Sequence, residues 1–440
     1  MQCPRCSEVN KDGTRFCKKC GAPLTDEAMA QDPIAAAASR RSRRRWIVLV
    51  VLIAGALVIA MRRRSAPTAN ENQPASPAPT VPNVSTDDVV KLGIAYGTEK
   101  QEWLTWAAKE FAATAEGRNI QIDLRPMGSL EAAQAIVHDD KDIHVWSPAS
   151  ALYKDVFLRD WADRHGGERS AANPIAKESP LALTPMVFVM WQERYDAFHS
   201  KYQELSFPTI GNAMSEKSGW DAIAGKPDWM FFKFSHTNPN QSNSGLMALV
   251  LMGYDYHGKH AGLDGRDLTD AKFQAWMQTI ERGLTGAASG LVSSTGYLMT
   301  SMIQRGWSTY DVIFVYEASA IERLQQANGR WGPLRVVYPK YNMWNENPYY
   351  VLNVPWSDAR HRKAAETFLQ FLLSDRVQQQ AMQHGFRPAN LNVPTNGPES
   401  PLVKYADTGL QANVPGVFCE PPKAEVIENL LLTWQRSQTR

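Results

Sequence analysis

Four of the five cysteines lie within the first twenty residues, as Cys3-x-x-Cys6 and, ten residues on, Cys17-x-x-Cys20. Each pair can put two thiolates on one tight turn, and two such turns build a tetrahedral four-sulfur cage for Zn²⁺. Pro4, Gly13 and Gly21 suit turns of that kind. Sulfur would fill every coordination position, so the expected metal is structural. So few apolar residues need a metal or a crosslink to fold. Two disulfides in an exported segment are the alternative. Lys11, Arg15, Lys18 and Lys19 make only a thin basic surface, and the formal net charge of the whole chain is +2. No nucleic-acid partner is expected.

A second group of chemically able residues forms the loop SHTNPNQSNS (235–244), ahead of the apolar run LMALVLM (246–252). Ser, Thr and Asn cap helices by accepting hydrogen bonds from the first backbone N–H groups. One residue does that, and this loop holds many more. The surplus points to a polar site at a helix N-terminus near Gly245, where free N–H groups and the helix dipole favour negative charge.

Catalytic patterns are missing. No G-x-S-x-G elbow accompanies the serines, and His236 has no serine and orienting carboxylate marked out beside it. GWDAIAGKP (219–227) is one residue too long between its glycines for a phosphate-binding loop, and it ends in Pro where Ser or Thr is required. No H-E-x-x-H occurs. The chain does not read as an enzyme.

The elements that must position these residues come in blocks. WIVLVVLIAGALVIAM (46–61) carries no charge and no proline. Its length as a helix is roughly 24 Å, and flanking arginines can snorkel outward to complete a membrane span. RRSRRR (40–45) precedes it and RRR (62–64) follows, which favours the N-terminus inside. A reduced four-cysteine zinc site also belongs in the cytosol. The segment reads as a retained signal anchor, with residues after about 64 outside the cytoplasm. Cys419 then stands alone in an oxidising space and is expected to be buried. The expected domains are a zinc ribbon (1–24), a basic cytoplasmic linker (25–45), the transmembrane helix (46–61), a Pro-rich tether (62–86) and a large outer domain (87–440).

The first stretch resembles the short zinc-ribbon modules at the N-termini of many bacterial membrane proteins. The resemblance implies a small recognition or assembly module.

In the outer domain VVKLGIAY (89–96), NIQIDLRP (119–126) and DIHVWSP (142–148) read as strands, each followed by a helical segment. That β-α-β-α-β-α run predicts a parallel sheet with helices on its faces, and ligands outside the carboxyl ends of the strands. Those ends are Gly97-Thr98-Glu99, Gly128-Ser129 and Ser147-Pro148. PLALTPMVFVMW (180–191) reads as one long apolar strand leading to a second α/β region with strands WMFFKFS (229–235), DVIFVYE (311–317) and LRVVYP (334–339). YYVLNVP (349–355) reads as a return strand, and HRKAAETFLQFLLS (361–374) and VQQQAMQHG (377–385) as helices on the first region.

In their order, Gly97-Thr98, Gly128-Ser129, DIHVWSPASALY, PLALTPMVFVMW, SHTNPNQSNSGLMAL, DVIFVYEASAI and HGFRPAN resemble the type II extracytoplasmic solute-binding proteins, molybdate/sulfate-like branch. The resemblance implies an α/β, two-lobed periplasmic-binding-protein-like clamshell: lobe 1 about 87–188 and 350–440, lobe 2 about 189–349. It implies a small ligand, an oxyanion among the options, held by Thr98, Gly128, Ser129, Ser147, Thr237, Asn238, Ser242, Ser244 and Tyr316. The implied partner is the permease of an ABC-type transporter. A ligand-sensing or partner-docking scaffold of a membrane complex is the alternative. Glu99 and Glu317 depart from an anion site: both place a carboxylate at the expected rim, unless turned away or paired with a cation such as Arg387. Trp344 and Tyr349 are aromatic candidates for the cleft wall, with core packing as the plainer role.

Overall fold

In the computed structural model the chain divides into two units, Met1–Pro82 and Asn83–Arg440. The structure describes Gln2, Val9 and residues 89–438, apart from 167–172, 288–289, 325–326 and 328–329. In the first unit Gln2 and Val9 form an isolated antiparallel bridge. The zinc-ligand candidates Cys3, Cys6, Cys17 and Cys20, both linkers and the apolar 46–61 segment lie outside the described residues. Among the described residues no helix is long and apolar enough to cross a membrane.

The second unit opens with β1 (Val90–Tyr96), α1 (Gln101–Ala112), β2 (Ile120–Pro126), α2 (Ser129–Val137), β3 (Val145–Ser147) and α3 (Lys154–His165). Next come β4 (Ile175–Pro180), β5 (Ala182–Leu183), β6 (Met186–Trp191), β7 (Phe234–Ser235), α4 (Asn243–His257), α5 (Ala271–Gly283) and α6 (Thr295–Arg305). The chain continues through β8 (Val312–Tyr316), α7 (Glu317–Leu324), β9 (Leu334–Val337), β10 (Tyr341–Asn342), β11 (Pro348–Leu352), α8 (Ala359–Leu372) and α9 (Asp375–Gln383). It closes with β12 (Arg387–Pro388), β13 (Val417–Phe418) and α10 (Ala424–Gln438).

Two sheets organise two lobes. The first has the order β2-β1-β3-β11-β4, and the second β7-β8-β6-β9. β1 runs parallel to β2 and β3, as the β-α-β reading requires, while β11 returns antiparallel to β3 and β4. In the second sheet β6 is antiparallel to both β8 and β9. All six residues of β6 are buried, which suits a central strand covered on both faces. α1 turns Trp103, Leu104, Ala107 and Phe111 inward, an apolar stripe at helical spacing. α4 is buried from Asn243 through Tyr254, so its apolar run surrounds the helix instead of lining one face.

Three differences from the sequence reading have local causes. The long strand over 180–191 is broken into β4, β5 and β6, and Thr184 bridges Asn345 at the break before Pro185, which has no N–H for a ladder. WMFFKFS is a strand only at its last two residues, because Pro227–Trp229 form a 3-10 turn and Met230 takes a positive φ of 63°. Residues 350–440 do not all join lobe 1. Phe368, Leu369, Leu372, Ala381 and Phe386 pack with Leu92 and Phe111 of the first lobe. Leu402 and Leu410 pack with Val187, Ile313 and Val336 of the second sheet. α10 docks on α4, α5 and the short helix Gly265–Thr269 of the second lobe. Its Val426, Ile427, Leu430 and Trp434 supply the apolar face that drives this docking. Glu428 of α10 also reaches Arg159 of α3 at 2.5 Å, so the helix touches both lobes. Cys419 is free and buried, as expected, and burial pushes its thiol up to about 12.

Candidate functional site

The loop after β1 meets the segment entering α6 at Thr98–Ser294, the loop after β2 approaches Gln241 ahead of α4 at Gly128, and Tyr316 at the end of β8 meets Asn243. α4 starts at Asn243, slightly earlier than the sequence suggests. Gly245 explains how the loop folds back onto the first turn: a Cβ there would stand 2.2 Å from the Thr237 carbonyl oxygen. Ser242 is the N-cap, but its hydroxyl makes no capping bond. The hydroxyls instead bond to one another. Thr237 Oγ1 lies 2.7 Å from Ser244 Oγ, which lies 2.6 Å from Thr295 Oγ1 at the start of α6. Ser242 Oγ joins at 3.2 Å from Ser244.

A buried charge pair supports this loop from behind. His236 is fully buried, with Nδ1 at 2.8 Å from the Thr237 carbonyl and Nε2 at 2.8 Å from Glu281 Oε1. Both nitrogens face acceptors, so both donate and the ring is an imidazolium. Burial alone would lower its pKa, but the Glu281 carboxylate and the two hydrogen bonds reverse that and raise it. Trp434 Nε1 donates to the other Glu281 oxygen at 2.6 Å, linking α10 to the polar loop. His236 is thus a strut, with both ring nitrogens engaged by the Thr237 carbonyl and Glu281.

The two lobes meet at several of these residues. Thr98 Oγ1 lies 3.2 Å from Ser294 Oγ, next to Thr295. A Cβ on Gly128 would lie 3.0 Å from the Gln241 carbonyl oxygen, so the first lobe comes close to the polar loop there too. The Gly97 N–H donates to the Ser147 carbonyl at 3.1 Å, which places Ser147 beside Thr98. On the second lobe the Tyr316 hydroxyl accepts from Asn243 Nδ2 at 2.9 Å. Burial raises the Tyr316 phenol well above its ordinary value, and the charge of Glu99, from the opposite lobe, adds to the shift. A pocket of about 320 Å³ opens at this seam, lined by Thr98, Glu99 and Glu102 on one side and Ser294, Tyr297 and Thr300 on the other.

The two departing carboxylates have different fates. Glu317 is turned away from the seam: Arg387 Nε and Nη2 donate to its two oxygens at 2.7 and 2.8 Å, and Tyr338 donates as well. Arg387 also donates to the carbonyls of Gln411 and Ala412, so its guanidinium is fully engaged. Glu99 remains at the seam, with Lys100 Nζ 2.6 Å away. Lys100 is fully buried and also donates to Asn347 Oδ1 at 2.8 Å. Burial lowers the Lys100 pKa, with Glu99 partly opposing. Burial and then Glu99 push Tyr96 up to about 12.

Thr98, Thr237, Ser242, Ser244 and Tyr316 therefore fall along one polar seam, and Ser147 adjoins it through its backbone bond to Gly97. Gly128 and Ser129 border it in supporting roles. The Gly128 N–H donates to Glu131, and Ser129 Oγ accepts from the Ala149 N–H at 3.1 Å. Asn238 is consumed by its own turn, its Oδ1 accepting from the Asn240 N–H at 2.9 Å. Trp344 stacks on Phe418 at 4.6 Å, and Tyr349 is buried with its hydroxyl donating to the Ala365 carbonyl, so neither lines the seam. Sequence reasoning missed Asn243, Ser294 and Thr295. The signal for two of them was legible: Ser293-Ser294-Thr295 before α6 is a second hydroxyl run ahead of a helix. Among the described residues one group has metal-ligand types close together, Glu102, Glu322 and His384, with ligand atoms within 4.8 Å of one another. Arg323 already stands 3.9 Å from both carboxylates and offsets part of their charge.

A family model described as bacterial extracellular solute-binding protein matches residues 92–387. Among curated proteins, none matches. Solved structures with a similar fold include a periplasmic thiamin binding protein, with a TM-score of 0.52 at 15% identity, covering 82% of this chain and 100% of that one. Iron-bound HitA from Pseudomonas aeruginosa has a TM-score of 0.50 at 13% identity, covering 80% and 100%. Maltose-bound MalE3 of T. maritima has a TM-score of 0.50 at 11% identity, covering 79% and 99%. At such identities the likeness is one of fold.

Proposed function

The chain belongs to the bacterial extracellular solute-binding protein family, and from that premise we propose that it captures a small solute between its two lobes and delivers it to the permease of an ABC-type transporter. One observation carries this reading: hydroxyl and amide groups from both lobes meet across the Thr98–Ser294 contact, at the carboxyl ends of parallel strands. Fold alone leaves the solute open, since the similar structures are named for thiamin, iron and maltose.

The proposal extends to the N-terminal region. The 46–61 segment holds the protein in the cell membrane as a single span, with the binding lobes outside and a zinc ribbon of Cys3, Cys6, Cys17 and Cys20 in the cytosol. Elemental analysis of the full-length chain is expected to find one zinc per chain, lost on substitution of Cys17 and Cys20 by serine; a metal-free preparation of folded protein refutes the ribbon.

The lobes are tested on the full-length protein by thermal shift over a solute panel, followed by titration calorimetry. A solute that saturates is expected to bind about tenfold more weakly to Tyr316→Phe, which loses one hydroxyl contact. Saturable binding that ignores Tyr316 moves the site elsewhere. No binding, together with a retained protein partner, favours a docking scaffold.

A further inference from the structure

The seam narrows the chemistry of its ligand, an inference that rests on the solute-binding reading. Asn243 is 4% exposed. Its neighbours fix the orientation of its amide. Asn345 Nδ2 donates to the Thr184 carbonyl at 3.2 Å, so Asn345 turns its Oδ1 toward Asn243, 2.7 Å away. Only an N–H fits against an acceptor at that distance, so Nδ2 of Asn243 points there and to the Tyr316 hydroxyl. Oδ1 of Asn243 is left over, buried, with no hydrogen-bond partner among the described residues. An amide oxygen can only accept. Across the seam Ser147 Oγ is in the same condition, fully buried and without a partner among the described residues. Each lobe thus holds one unused buried polar atom next to seam residues, Asn243 beside Tyr316 and Ser147 beside Gly97.

The charges agree. Glu99 is a second acceptor at the seam. The nearby cations face carboxylates of the protein, Lys100 bonded to Glu99 and Asn347, and Arg323 3.9 Å from both Glu102 and Glu322. Burying an acceptor without a donor is unfavourable, and a ligand that brings the donor removes that cost on binding.

We propose that the solute presents an O–H or N–H group to Asn243 Oδ1, with Ser147 Oγ as its contact on the opposite lobe. The ligand is a hydrogen-bond-donating compound, hydroxylated or amino, and a fully deprotonated tetrahedral oxyanion is not the cargo.

Native mass spectrometry of the full-length protein in mild detergent, looking for a retained small molecule, comes first. Thermal shift and calorimetry then compare acceptor-only probes, sulfate and molybdate, with donor-bearing ones. Hydrogen phosphate matches sulfate in shape but carries one O–H, glucose tests hydroxyls, and putrescine tests ammonium groups. The expected result is a retained molecule or probe with a donor that saturates, and no saturable shift with sulfate or molybdate. Asn243→Leu is expected to weaken the donor-bearing ligand by about tenfold or more. If that variant folds poorly, the probe comparison on the unaltered protein still decides. Saturable binding of sulfate or molybdate, or a retained ligand without O–H or N–H, overturns this inference and leaves the solute-binding reading standing. No retained molecule and no shift with any probe removes the solute-binding reading itself, and this inference with it.

Discussion

His144 shows how burial sets the behaviour of a single group. Its Nδ1 accepts from the Gly93 N–H at 3.1 Å, so the ring is held neutral with its proton on Nε2, and it stacks on His361 at 4.1 Å. Burial first, then the neighbouring His361, lowers its pKa to about 4. An unfolded chain takes up that proton near pH 6.5. Between these values the unfolded state binds more protons, so stability rises with pH. The contribution is complete above about 6.5 and is lost as pH falls toward 4. Unfolding free energy should drop by about 2 kcal/mol between pH 7 and 4.5 from this residue. Urea titrations across that range should show a shallower slope in His144→Gln. An unchanged slope would assign the acid sensitivity to other groups. Arg387 and Glu317 make a related point. Both are charged residues inside motifs that carry the resemblance, and only their bidentate geometry shows that they serve each other and not the ligand.

At the scale of elements, the polar loop and α4 behave as one device. The loop can fold back on the first helical turn only because residue 245 has no side chain. The imidazolium of His236, Glu281 and Trp434 then hold its far side. Gly245→Ala should push the Thr237 carbonyl away and break the hydroxyl chain through Ser244 to Thr295. Solute affinity should fall by more than tenfold, the equivalent of about 1.4 kcal/mol. The far-ultraviolet circular dichroism spectrum should be unchanged. Undiminished affinity in calorimetry would show that the loop geometry does not matter for binding. The same element explains a partial failure of sequence reading. The surplus of hydroxyls and amides ahead of an apolar run located the loop, but the share of its residues used for capping, for turns and for the seam depends on partners such as Thr295 and Val292, distant in sequence.

At the scale of the whole molecule the lobes are joined more extensively than by crossing strands alone. β6 starts just after the Thr184–Asn345 bridge, Arg387 of β12 binds Glu317 of α7, and α10 contacts elements of both lobes. The structure shows the lobes in contact at Thr98 and Ser294. In a Thr98→Cys/Ser294→Cys protein, a disulfide should form under mild oxidation, faster with solute bound, and should slow solute release. Non-reducing electrophoresis and a release assay read both effects. Crosslinking at equal rates with and without solute would argue against closure on the ligand.

The sequence by itself determined the α/β class, the order of strands and helices over the first lobe, and the loops that carry hydroxyls and amides. Those features rest on local periodicity and on side chains beside their own backbone. Tertiary structure alone decided the rest: that Glu317 turns away and Glu99 stays, that α10 joins the second lobe, that Asn238 closes a turn and Asn243 reaches the seam. Each depends on pairing between segments far apart in the chain. The orientation of the Asn243 amide is set by Asn345 and Thr184, and no local pattern in residues 235–252 contains either of them.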